Sequence, residues 1–192
     1  MKDLSSDPKQ KAILDSAWNA FAAYGFRKVS MDDIARGADM SRPALYLRFR
    51  NKEDIFRSLV QYYYDTAAQD VTQALSGEGP VPDVIAQAFA AQGGETIEAM
   101  LASPHGLELL DTGNTTASDI AEAGEARLRD IYADWLQHQA DAGRISLHGP
   151  ADAVADAISA ALKGIKSACT NHTIYKTRIA TFAALVGAAL RT

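Results

Sequence analysis

The chain has 192 residues, 47% of them hydrophobic, with a formal net charge of −5 and a pI near 5.3. That apolar content supports a sizeable core, as one domain or as a small module joined to a larger one, and excludes a disordered chain. The single cysteine, Cys169, excludes an intramolecular disulfide and a multi-cysteine zinc site and fits a reducing compartment.

No sustained period-two pattern occurs, while apolar residues recur at helical spacing almost throughout, so an all-α fold is expected. The first helix is predicted from about Pro8 to Tyr24, with Ile13, Ala17 and Phe21 on one stripe, Leu14 and Trp18 beside it, and Gly25 as the stop. Ser30 is placed to cap a second helix, with Asp33 reaching back in a capping-box arrangement, and that helix is expected to bury Ile34, Ala35 and Ala38. Asp39-Met40 make a turn. Ser41 then caps a third helix carrying Pro43 in its first turn and Leu45 and Phe49 inward.

Asn51 caps a longer fourth helix, expected to carry Ile55, Leu59 and Tyr62 or Tyr63 inward and to end near Leu75. Gly77-Glu-Gly-Pro80 is the clearest linker. Further helices are predicted at about 82–102, 104–111, 116–142, 150–169 and 173–190, with breaks at Ser103-Pro104, Asp111 to Thr116, Gly143 and Gly149-Pro150.

Charge is unevenly divided. Residues 1–57 hold 11 Lys+Arg against 8 Asp+Glu (+3), and residues 58–192 hold 8 against 16 (−8), which sum to −5. Between Asp39 and Glu53 the chain carries Arg42, Arg48, Arg50 and Lys52 and no acid, so the turn and third helix are expected to present unopposed positive charge of the kind DNA phosphates attract. Two short helices about a tight turn, cations on the second, are the plan of a helix-turn-helix over about residues 30–49.

The segment Ile13 to Phe56 resembles the DNA-binding domain of the tetracycline-repressor (TetR) family of bacterial transcriptional regulators. The likeness rests on Ile-Leu-Asp-Ser-Ala-Trp-Asn-Ala-Phe in the first helix, Gly25-Phe26, the Ser30 cap, Asp33-Ile34-Ala35, and above all Ser41-Arg-Pro-Ala-Leu-Tyr-Leu-Arg-Phe-Arg-Asn-Lys-Glu-Asp-Ile-Phe56. The resemblance implies a three-helix DNA-binding domain at 8–56 whose third helix enters the major groove, with Tyr46 and Lys52 on phosphates. It implies a helical domain at 57–192 that dimerises and binds a small effector. Met31 stands where the family often has a small hydroxyl residue.

Elementary recognition chemistry agrees. Arg42 can donate bidentately to guanine and Ala44 can meet a thymine methyl, flanked by Ser41 and Pro43. Tyr46 and Arg48 lie one turn on, and Lys52 lies beside the free amides of the next helix. Lys28, Ser30 and Met31 are expected against the opposite strand's backbone. The DNA partner expected is an inverted repeat, because two-fold protein symmetry demands one.

The last two predicted helices are rich in small residues. Ala157, Ala161, Gly164, Ala180, Ala184, Gly187 and Ala188 are interleaved with apolar residues on more than one stripe, so a second buried face is expected, supplied by a homodimer. For an apolar or aromatic effector the candidates are Tyr62, Tyr63, Phe89, Glu95, Met100, His105, Glu108, Trp135 and His138.

No Gly-rich phosphate loop, G-x-S-x-G or H-E-x-x-H occurs, and no catalytic residue, metal site or cofactor is expected. The alternative is an all-α enzyme whose metal would use Asp134 and His138 with Asp130, or whose thiol would pair Cys169 with His172. An exposed acidic face and a buried apolar cysteine are the preferred readings of those residues. The polar opening Met1–Asp7 lacks the apolar stretch of a signal peptide, and the run Ile179–Leu190 is too short to cross a bilayer, so a cytoplasmic repressor without a membrane partner is expected.

Overall fold

Asp7 caps the first helix of the chain's computed structural model, which describes residues 7–190; of the polar opening, Met1–Ser6 lies outside the described residues. Among the described residues there are nine helices and no strand: α1 (Pro8–Tyr24), α2 (Met31–Gly37), α3 (Arg42–Tyr46), α4 (Lys52–Leu75), α5 (Val81–Ala102), α6 (Gly106–Thr116), α7 (Ser118–Asp141), α8 (Ala151–Ser167) and α9 (His172–Ala189).

The chain divides into two units. The first holds the described residues through Tyr63 together with Ala102–Ala121, and the second holds Tyr64–Leu101 and the residues from Glu122. The first unit therefore extends past residue 56 and takes in α6.

In the first unit, local chemistry sets each helix end. The Asp7 carboxylate accepts from the Lys9 and Gln10 amides, and Ser30 and Asp33 form the reciprocal capping box. Ser41 Oγ accepts from the Ala44 amide, and Asn51 Oδ1 from the Asp54 amide at 2.8 Å. Asp39 takes φ +51°, a left-handed conformation that aspartate tolerates better than most residues, and so turns α2 into α3. Beneath these turns Ile13, Ala17, Phe21, Ile34, Leu45 and Ile55 are fully buried, with Phe21, Phe26 and Phe56 stacked edge to face or tilted at 5.2–5.9 Å.

Helix α6 is tied into this unit. Ser103 Oγ donates to the Ala22 carbonyl at 2.7 Å, the Arg27 amide donates to Glu108, and Arg57 donates to the Thr116 carbonyl and to both Asp119 oxygens. The Arg57 guanidinium draws the Asp119 carboxyl down to about 2. The break expected from Asp111 to Thr116 is absent, because α6 runs through it. Thr112 and Thr115, weak helix formers, return their hydroxyls to the Glu108 and Asp111 carbonyls.

In the second unit, Tyr64, Ala67, Ala68, Val71 and Leu75 form the buried stripe of α4. The expectation that Tyr62 or Tyr63 points inward is corrected for Tyr62, while Tyr63 is half-buried. The stripe descends from Phe56 at a spacing of eight, which brings Tyr64 to the core and leaves Tyr62 40% exposed. Helix α5 is broken at Gly94, whose φ of +53° and ψ of −163° no side chain adopts without strain. Helices α8 and α9 pack on each other; Ala155, Ile158 and Leu162 are buried on one and Ile179 and Ala183 on the other.

Candidate nucleic-acid interface

Because Leu45 and Phe49 turn into the core, the opposite side of α3 and the turn after it face outward. Ser41, Arg42, Pro43, Tyr46 and Arg48 are exposed and Ala44 is half-buried; Lys28 and Ser30 are exposed nearby in the first unit. Leu47 is 89% exposed, the most exposed large apolar side chain among the described residues. Sequence reasoning missed it. The signal was its place two residues from both Leu45 and Phe49, off their stripe.

The positive charge of this face is opposed, contrary to expectation. Arg42 pairs with Asp32, Arg48 with Asp7, Arg50 with Asp54 and Arg36 with Asp33. The acids come from outside the cationic window, so a count along the chain does not see them. The Arg48 guanidinium holds Asp7 below the usual carboxylate range, and Arg50 does the same to Asp54. Arg42 is shifted up, first by the Tyr46 hydroxyl and then by Asp32, and its guanidinium lies 5.5 Å from the Tyr46 ring centroid. Exposed pairs of this kind add little to folding. An open depression of about 470 Å³ between α2 and α3 has Asp32, Arg36, Asp39, Ser41 and Arg42 on its rim.

Two expected phosphate contacts are reassigned. Met31 is only 8% exposed and belongs to the core beside Ile34 and Phe49, because the first helical position after the cap points down into the unit. The Lys52 ammonium donates to the Phe26, Arg27 and Val29 carbonyls at 2.9, 3.2 and 3.1 Å and sits 4.7 Å from the Phe26 ring centroid. All three of its donors hold the loop between α1 and α2.

The effector candidates are divided between the two units. Tyr62, Tyr63, His105 and Glu108 lie in the first unit, where His105 Nδ1 and Glu108 are 3.1 Å apart and Glu108 holds the Arg27 amide. Glu95 and His138 are exposed; Met100 is buried; the Trp135 indole donates to the Leu75 carbonyl. In the second unit an aromatic group comes together beside the α5 break. Phe89 stacks on Phe182 at 5.4 Å and meets Tyr132 edge-on at 5.7 Å, and Tyr132 donates to Gln92 at 2.9 Å. Tyr175 lies against Gly93, where a Cβ would come within 2.3 Å of its hydroxyl. Burial pushes Tyr132 above the usual phenol range and Tyr175 up to about 12.

Of the small-residue positions, Ala157, Gly164, Ala180, Ala184 and Ala188 are exposed, Ala161 is half-buried, and Leu185 stands 64% exposed among them. Gly187 is corrected: it is buried within the unit, and a Cβ there would approach Pro82 Cβ to 2.8 Å. Asp130, Asp134 and His138 form an exposed row on α7, and among the described residues no group of three metal-ligating side chains comes together. Cys169 is buried with the Arg178 guanidinium 3.7 Å from its sulfur, and His172 faces Glu98 at 3.4 Å. Among the described residues no helix is long and apolar enough to cross a membrane.

Residues 13–59 match the family described as bacterial regulatory proteins, tetR family. The transcriptional repressor ComR of Escherichia coli is 35% identical over 81 residues, 42% of this chain and 39% of that protein. Alignments with such curated relatives span 20–42% of the relatives' own lengths. Among solved structures, a transcriptional regulator from Cytophaga hutchinsonii superposes with a TM-score of 0.79 at 17% identity, over 97% of this chain and 100% of that one. The SmeT–triclosan complex gives 0.71 at 16% identity, over 97% and 93%. Residues 13–59 thus carry the sequence pattern of the tetR family of bacterial regulatory proteins, and the fold of the whole chain is like that of these solved structures.

Proposed function

We propose that the chain is a homodimeric DNA-binding transcriptional regulator of the cytoplasm, a repressor that reads an inverted-repeat operator and is released by a small-molecule effector. The observation that carries this reading is the capped α2–turn–α3 element whose inner side is sealed by Ile34, Leu45 and Phe49 while Arg42, Tyr46, Leu47 and Arg48 stand outward. A rigid short helix with a long cation at its first position matches what major-groove reading requires. In this reading Arg42 contacts guanine, Ala44 and Leu47 meet thymine methyls or sugars, Tyr46 and Arg48 hold phosphate, and Lys28 and Ser30 meet the other strand. Lys52 acts indirectly, by fixing the α1–α2 loop.

Residues 8–56 serve as the DNA-binding domain and 57–192 as the dimerisation and ligand-binding part. The exposed stripe of Ala180, Ala184, Leu185 and Ala188 on α9, beside Ala157 and Gly164 on α8, supports a two-fold interface. The aromatic group of Phe89, Tyr132 and Phe182 with Gln92 supports an apolar or aromatic effector with one or two polar atoms, and the triclosan complex of a fold neighbour agrees. Repression accords with the description of ComR.

Mobility shift of duplex DNA from the protein's own upstream region tests the reading. A shift that weakens linearly with log salt and yields to unlabelled operator but not to random duplex is expected. Equal competition by both would refute sequence-specific reading.

A further inference from the structure

We propose that Asp32, on the first turn of α2, is a positioning residue for base reading: it holds the Arg42 guanidinium so that an α2 side chain sets how strictly α3 reads one guanine. The inference rests on the DNA-reading function proposed above.

The Asp32 carboxylate lies 3.1 Å from Arg42 Nε and accepts from Nη1 at 3.3 Å, while the Tyr46 ring covers the guanidinium from its own helix. Asp32 stands on a fixed backbone. The Ser30–Asp33 capping box closes the start of α2, Ser16 Oγ donates to the Ile34 carbonyl at 2.9 Å, and Ile34 is fully buried. The pair is not needed to join the two helices, since Ile34 and Leu45 already do so in the core. Both partners are more than half exposed, where an ion pair adds little to folding.

Electrostatics alone argues against an acid here, because a carboxylate on a face that meets phosphates weakens attraction to every DNA sequence. What the acid supplies is geometry. Arginine has five N–H donors, and a contact through Nε and Nη1 leaves at least three, enough for guanine O6 and N7. A guanidinium held before DNA arrives loses less rotamer freedom on binding, and it resists swinging to other acceptors when the guanine is replaced.

The test uses the full chain and an operator selected from random duplexes by the wild type. The readout is the ratio of Kd for operator with the Arg42-dependent guanine replaced to Kd for intact operator. Asp32→Ala should lower that ratio roughly 3- to 10-fold, the scale of immobilising one rotamer-rich side chain, while affinity for random duplex stays the same or rises. Asp32→Asn, which keeps an acceptor, should restore part of the ratio. In an Arg42→Ala background, Asp32→Ala should leave the ratio unchanged.

An unaltered ratio in Asp32→Ala would reduce Asp32 to a solvated charge and overturn the proposal. A fall that persists without Arg42 would mean that Asp32 reads a base itself, which also overturns it. Failure of the wild type to enrich any duplex would instead refute the DNA-reading function, and this inference with it.

Discussion

Lys52→Met separates two roles that the sequence could not. The substitution keeps an apolar stem of similar reach and removes the ammonium that satisfies the Phe26, Arg27 and Val29 carbonyls. Hydrogen bonds to charged groups contribute about 1.5–3 kcal/mol in favourable cases, but these carbonyls are only partly buried and water recovers much of the loss. With the cation–π contact to Phe26 also gone, a destabilisation of about 1–3 kcal/mol is expected in the first unit. Urea unfolding followed at Trp18 in a Trp135→Phe background should show a lower midpoint with an unchanged slope. The salt dependence of operator binding should keep its slope. A variant with an unchanged midpoint whose log–log salt slope falls by about 1 would return Lys52 to the phosphate backbone and refute the clamp.

On α9, Leu185→Lys or Ala184→Glu should convert the dimer to monomer in sedimentation, whereas Gly187→Ala, which collides with Pro82 inside the unit, should cost about 1–3 kcal/mol of stability and leave the dimer intact. A dimer indifferent to both charges moves the interface elsewhere. Burial raises Tyr64, Tyr132 and Tyr175, the last to about 12, so between the unfolded value near 10 and the folded one the native chain keeps protons that the unfolded chain releases. Stability should therefore fall as pH rises from about 10 toward 12, and denaturation midpoints that stay flat across this window would show that those phenols are hydrated. Gly94→Ala should strain the α5 break by about 1–2 kcal/mol, and a calorimetric melt that does not move would mean the break is not maintained in solution.

The first unit was legible where chemistry is local. Asp7, Ser30, Ser41 and Asn51 act on amides two or three residues away, so the caps, the helix starts and the Ile13–Ala17–Phe21 stripe could be read directly. The electrostatics was not, because Asp7 meets Arg48 and Asp32 meets Arg42 across turns that a window along the chain does not span. Met31 and Lys52 were read as contacts for the same reason: only the folded unit shows that one is buried and the other occupied. In the second unit, Phe89 was among the effector candidates named from the sequence. Its ring partners Tyr132 and Phe182 come from α7 and α9, and nothing in the spacing of one helix announces a partner on another. The Gly93-Gly94 pair was the overlooked local signal.

The central claim is that α3, through Arg42, reads one position in each half of a two-fold site. Selection of random duplexes by the wild-type chain and by Arg42→Ala tests it most directly. The wild type should enrich an inverted repeat with half-site centres about one helical turn, roughly 35 Å, apart and a guanine at one position of each half. Arg42→Ala should bind the same repeat with that position degenerate, at a cost of about 1–3 kcal/mol. Enrichment of no sequence by the wild type, or of the same guanine by both proteins, would contradict the account.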